Sequence, residues 1–281
     1  MRALLVIGML ALVAGCVSPT RIARSAAKVD LGAAYYREGN TEGAITTLRD
    51  AAKLDPRAWR PQNALAIAYI AKGELDLADE AFRRARRVAP GEAEVLNNHG
   101  TLLLKTGRLD EAILAFELAL QDLDYRTPAM IHSNLAYALV QAGRADEALP
   151  YAREATRRAP TMCEAWFHLG LVQEARTDAL AALEAYRQVS ELCPADSLGS
   201  RLRTGCLQVQ VGLADEGRAA LEDVVITAPG TPFADEARAC LDTLPSSLRA
   251  PPTRGPSSLA PSALAPSTLA PSTLVPSSLG R

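Results

Sequence analysis

Along residues 25–231 apolar and small side chains recur three and four positions apart, the spacing that gathers them on one face of an α-helix. That helical pattern is itself repeated. Turn positions at Gly39, Gly73, Gly107, Gly143 and Gly212, with Thr177 in the equivalent place, are separated by steps of 34, 34, 36, 34 and 35 residues. Proline closes most units, at Pro56, Pro90, Pro160, Pro194 and Pro229, and Asp124 stands there in the third; a residue without a backbone donor cannot continue a helix. Small residues recur on the first helix of each unit, at Gly32, Ala66, Gly100, Ala136, Gly170 and Gly205, and again on the second, at Ala44, Ala78, Ala112, Ala148, Ala182 and Gly217. Larger side chains follow four positions later, at Leu48, Phe82, Phe116, Tyr186 and Leu221, with Ala152 as the weak member. Small residues admit a neighbouring helix and large ones fill the space beside it. The spacing predicts six helix pairs over 25–58, 59–92, 93–126, 129–162, 163–196 and 198–231.

This pattern resembles the tetratricopeptide repeat, which implies an all-α superhelical solenoid of about six repeats over 25–231. In such an array each repeat buries its apolar face mainly against its neighbours, so the ends need caps. Residues 232–244 read as the C-terminal capping helix, started by Pro232, with Asp235 and Glu236 in a first turn where negative charge suits the helix dipole. From 245 to 281 the composition changes to Pro, Ser, Ala, Thr and Leu. Prolines at Pro256, Pro261, Pro266, Pro271 and Pro276 set a five-residue period that favours extended conformations, and no packed domain is expected there.

The N-terminus reads as an address. Met1 and Arg2 lead into an uncharged stretch from Ala3 to Ala14, too short to span a bilayer but of signal-peptide length. Val13-Ala14-Gly15-Cys16 resembles the bacterial lipobox, which implies a signal peptide over 1–15, cleavage, and acylation of Cys16. The alternative is an ordinary secretory signal beside a chance cysteine. Acyl chains contribute about 0.8 kcal/mol per buried methylene, so several of them anchor a protein without a spanning helix. Val17 and Ser18 stand where inner-membrane retention signals carry aspartate, and the resemblance implies sorting to the outer membrane. Residues 16–24 are expected to form a lipidated tether.

Charge and composition narrow the partners. The 30 Lys and Arg against 32 Asp and Glu leave a formal charge of -2, without the basic excess that nucleic-acid binding needs. His99, His132 and His168 fall on the first helices of successive repeats, and none has a second ligand at metal-site spacing. No phosphate-binding glycine loop, nucleophile elbow or zinc-protease helix is present. Acid pairs such as Asp110-Glu111 and Asp146-Glu147 follow the inter-helix turns, where they favour a helix N-terminus. A non-catalytic scaffold without cofactor, metal or small-molecule substrate is the expectation. An enzyme built on a groove carboxylate lacks the inward-facing acidic cluster it would need.

Besides Cys16 the chain carries Cys163, Cys193, Cys206 and Cys240, facing an oxidising periplasm if the signal is read correctly. Cys163 opens the first helix of the fifth repeat and Cys193 ends its second, so a helix hairpin brings those two together. Cys193 with Cys206, or four buried free thiols, stand as alternatives. In a tetratricopeptide array the first helices line a groove. Projecting their inward positions gives Tyr36, Asn63, Ile67, Ile70, Asn97, Thr101, Leu104, Tyr137, Val140, Phe167 and Leu171, an apolar and aromatic surface with a few amides, suited to a segment of another protein.

A more specific likeness rests on Asn97-Asn98-His99-Gly100, Gly107-Arg108-Leu109-Asp110-Glu111-Ala112, Phe116, Ala119-Leu120, Tyr125, Asn134 and, above all, the two extra residues carrying Thr127-Pro128 between the third and fourth repeats. Together they resemble the type IV pilus biogenesis lipoproteins of the pilotin family, from Ala26 to Leu244 and at the lipobox. Some members of that family carry a cysteine pair where this chain has Leu104 and Ala138, so that bridge is impossible here. The resemblance implies a helper that binds the pilus secretin subunit in the periplasm, carries it to the outer membrane on its own lipid anchor and promotes its multimerisation, with pili and motility depending on it. The competing expectation is an adaptor for cell-wall hydrolases or polysaccharide export machinery.

Overall fold

The computed structural model describes residues 17–245. The segment 1–15, the lipidation candidate Cys16 and the tail beyond 245 lie outside the described residues. Thirteen α-helices and one short 3-10 turn, Pro194–Asp196, make up the regular structure among them. The first repeat is α1 (Pro19–Arg37) with α2 (Thr41–Leu54), the second α3 (Trp59–Lys72) with α4 (Leu75–Val88), and the third α5 (Ala93–Lys105) with α6 (Leu109–Ala119). The fourth is α7 (Pro128–Gln141) with α8 (Ala145–Arg158), the fifth α9 (Cys163–Ala175) with α10 (Ala179–Leu192), and the sixth α11 (Leu198–Gln210) with α12 (Ala214–Thr227). Helix α13 (Pro232–Asp242) packs on both helices of the sixth repeat, in the place of a cap. The all-α repeat architecture expected from the periodicity is thus observed.

The turn positions explain the beat. Gly39, Gly73, Gly107, Gly143 and Gly212 all have φ between 73° and 88°, a left-handed conformation that glycine adopts without a Cβ clash. Thr177, with φ of 61°, is the only described non-glycine residue there. The small-to-large rhythm has an equally direct cause. A Cβ added to Gly100 would lie 2.7 Å from the Phe116 ring, and one on Gly32 would lie 2.6 Å from Leu48. The absent side chain is the space that the large residue of the paired helix occupies. Phe116 beside Gly100 and Tyr186 beside Gly170 are completely buried as a result, each contributing about 1.5–3 kcal/mol of apolar burial.

Of the span 16–24 expected as a tether, residues 19–24 belong to α1. The Ser18 side chain caps the helix by accepting from the Arg21 amide, and Pro19 occupies the first turn. Arg21 Nη2 donates to the Lys53 carbonyl at 3.0 Å. One turn on, the buried Ser25 hydroxyl donates to the Ala51 carbonyl at 2.8 Å, so the early turns of α1 are fixed against α2.

The chain divides into two compact units after Tyr125, one holding α1–α6 and the other α7–α13. The division falls where Thr127-Pro128 lengthens the repeat, with Thr127 at the N-cap and Pro128 in the first turn of α7. In the second unit Cys163 and Cys193 are bonded, joining the start of α9 to the end of α10, and Cys206 is bonded to Cys240, joining α11 to α13. Cys206 therefore pairs with the capping helix and not with Cys193.

Candidate binding faces on the first helices

In the first unit α1 packs on α3 and α3 on α5, and in the second α7 packs on α9. First helices thus fill one another's inward positions, which corrects part of the expected groove. Asn63, Ile67, Asn97, Thr101 and Leu104 are 3%, 4%, 4%, 6% and 8% exposed, too little to receive a partner. Their amides are polar for an internal reason. Asn63 Nδ2 donates to Glu94 Oε1 at 3.0 Å and Asn63 Oδ1 accepts from Asn98 Nδ2 at 3.2 Å, a buried ladder from the second repeat to the third. Thr101 donates its hydroxyl to the Asn97 carbonyl at 3.0 Å.

The half-buried remainder forms two separate faces. In the first unit Tyr36 lines a small recess with Val29 and Ala33 of α1 and Trp59, Arg60 and Ala64 of α3, and Ile70 packs at the edge of the same core. Sequence projection omits Trp59 and Arg60, although Trp59, Asn63, Ile67 and Ile70 are spaced four, four and three apart on one helix face. The Arg60 guanidinium lies 5.4 Å from the Trp59 ring centroid, a cation–π contact.

In the second unit Tyr137, Val140, Phe167 and Leu171 are half-buried on α7 and α9. Tyr137 stacks on His168, with centroids 4.7 Å apart and planes 5° from parallel. Phe167 leans on the buried Tyr186 ring at 5.7 Å. His168 is itself buried, its Nδ1 placed 3.1 Å from the Ser133 carbonyl and 2.8 Å from the Ser133 hydroxyl. A carbonyl only accepts, so Nδ1 carries the proton. Burial holds the His168 pKa below the ordinary histidine value, against a weaker opposing pull from Glu164. Tyr186 donates to Glu174 Oε2 at 2.8 Å, and burial first, then the Glu174 charge, pushes its phenol pKa upward.

Elsewhere His99 is lowered chiefly by burial, while Asp79, 2.7 Å from its Nε2, is itself held low by His99, Arg83 and Arg108 in spite of burial. The two directions agree if a neutral His99 donates Nε2–H to an ionised Asp79 and accepts at Nδ1 from Arg86, 3.3 Å away. Among the described residues no group of three or more His, Cys, Asp or Glu is arranged to hold a metal ion. No described helix is long and apolar enough to cross a membrane.

The tetratricopeptide repeat model matches residues 29–78, 63–126 and 133–197, more than half of the chain. The chain belongs to the tetratricopeptide repeat family. It is 34% identical over 131 residues to the type IV pilus assembly protein PilF of Pseudomonas aeruginosa, a match covering 47% of this chain and 52% of that protein. In sequence, the chain therefore spans about half the length of that relative. Against the solved PilF structure the similarity extends over 78% of this chain and 99% of that one, with a TM-score of 0.69 and 25% identity. The fold is also that of PilW, described as a widely conserved type IV pilus biogenesis factor, with a TM-score of 0.70 at 22% identity over 75% of this chain and 96% of that one.

Proposed function

We propose that this repeat protein acts in type IV pilus biogenesis as a non-catalytic lipoprotein, acylated at Cys16 and held on the periplasmic side of the outer membrane, where it binds the secretin subunit and promotes its multimerisation. The observation that carries the reading is the likeness to PilF, which extends over nearly all of the solved PilF chain. The half-buried aromatics of the first helices suit the role, because Tyr36, Trp59, Tyr137 and Phe167 offer large contact area with few rotamers to freeze. Anchoring contributes separately: a bound subunit held at the membrane meets its neighbours at raised effective concentration.

The test is an immunoblot of heat-resistant secretin multimers in a strain lacking this protein. Multimers are expected to fall sharply while monomer stays detectable. Complementation with Tyr137→Ala or Tyr36→Ala is expected to restore fewer multimers than Arg153→Ala, an exposed control, provided each variant keeps its helicity and melting temperature. Normal multimers and pili in the deletion strain would refute the proposal and favour a cell-wall or export adaptor.

A further inference from the structure

On the side of the first unit formed by its second helices, a groove of about 650 Å³ opens between α2 and α4, with α3 beneath it. Its volume falls within the range of roughly 300–1,000 Å³ usual for ligand pockets. The floor is apolar, formed by Leu65 and Tyr69, and the α4 wall presents Leu77 and Val88, which are 39% and 42% exposed. Four cations, Arg49, Lys53, Arg84 and Arg87, stand against Glu80 within the groove, with Asp50 at its margin 3.8 Å from Lys53, in a chain whose net charge is -2. Glu80 is already engaged by Arg84, and Arg49 Nε donates to the Tyr69 hydroxyl at 2.8 Å, whereas no described residue pairs with Arg87.

The lining also includes Gln62, 8% exposed, whose Oε1 is buried without a hydrogen-bond partner among the described residues. A buried acceptor left unpaired is costly, and it is satisfied only by a donor brought from outside or by rearrangement. We propose that this groove binds a short acidic segment of a partner protein, its apolar side chains against Leu77 and Val88, its carboxylates on the Arg and Lys rim, and a backbone N–H meeting the Gln62 amide as that side chain turns outward. Carboxylates are recognised by guanidinium groups through charge-assisted hydrogen bonds. A phospholipid phosphate would also meet the cations, but it brings only acceptors and leaves Gln62 Oε1 unpaired. This site is separate from the first-helix faces and does not depend on the secretin proposal.

The experiment selects a phage-displayed random dodecapeptide library on the purified full-length protein and measures the winning synthetic peptides by fluorescence anisotropy. Peptides pairing Asp or Glu with large apolar residues are expected, with affinity that falls as salt rises. Lys53→Ala/Arg87→Ala is expected to weaken them by about tenfold or more while circular dichroism and melting stay unchanged. Gln62→Leu is expected to weaken the peptides while holding or raising the melting temperature, opposite signs that a purely structural glutamine would not give. Selected peptides without acidic enrichment, no selected peptide at all, or undiminished binding to the double variant would each overturn the proposal. So would binding to phosphatidylethanolamine–phosphatidylglycerol vesicles that the double variant loses, if no acidic peptide binds.

Discussion

Thr177 occupies a turn with φ of 61° where the corresponding turn within each of the other repeats carries glycine. A side chain in the left-handed region costs roughly 1–2 kcal/mol, and a β-branched one is least tolerated. The Thr177 hydroxyl donates to the Arg176 carbonyl at 2.6 Å, which returns part of that. Glycine would remove the strain but give up about 0.5–1 kcal/mol of chain entropy. Thr177→Gly is therefore expected to raise unfolding free energy by roughly 0.5–1 kcal/mol, read by urea denaturation; an unchanged or lower midpoint would show that Thr177 is not strained. His168 makes a second prediction through its protons. Its folded pKa lies below the unfolded value of about 6.5, so below that pH the unfolded chain binds more protons. The stability contributed by neutral His168 is present above about pH 6.5 and is lost as pH falls towards the folded pKa. Asn offers an N–H near Nδ1 without titrating. His168→Asn should consequently lose less melting temperature than the parent between about pH 7.5 and about pH 5.5, part of the fall persisting because burial lowers His99 and His132 as well. Equal losses in both proteins would remove His168 as a contributor.

Helix pairing was legible in the sequence because its cause is local: one position must turn through positive φ and one must leave room for a ring, so Gly100 and Phe116 announce themselves by type and spacing. Which inward residues stay open is set by a neighbour some 30 residues away. Asn63 therefore reads as groove surface, although Glu94 and Asn98 already hold its amide inside. Trp59 was missed because it stands at the very start of α3, ahead of the inward positions projected from the repeat. The Cys206–Cys240 bridge was illegible for a similar reason, since only the docking of α13 on α11 brings the pair together. Both bridges lie in the second unit and close separations of 30 and 34 residues, for which the chain-entropy model gives about 3–4 kcal/mol each. Residues 17–125 contain no cysteine. Reduction is expected to accelerate amide hydrogen exchange across α9–α13 and leave α1–α6 unchanged, which mass-resolved exchange with and without dithiothreitol measures; uniform acceleration would mean that the units unfold together.

At the scale of the whole molecule, the folded repeat array and the lipid anchor proposed at Cys16 are distinct parts of the chain. Helix α1 begins at Pro19 and is fixed to α2 by Arg21 and Ser25, contacts that lie within the described residues. The core of the repeats is buried between neighbouring helices, although Leu123, Leu180 and Ile226 stand largely exposed, and no described helix is long and apolar enough to cross a membrane. If the acyl chains proposed at Cys16 supply the attachment, their removal should change location without changing fold. Cys16→Ala is expected to keep the helicity and melting temperature of the parent body while moving from the membrane pellet to the soluble periplasmic fraction, in cells lacking the secretin so that partner binding cannot retain it. Two readouts separate the causes of failure: a variant that melts early has lost its fold, whereas one that melts normally and still sediments with outer membranes is attached by something other than Cys16. Secretin multimers should then fall in proportion to the lost anchoring even though both first-helix faces remain intact, because the proposed anchor acts through effective concentration and adds no contact of its own.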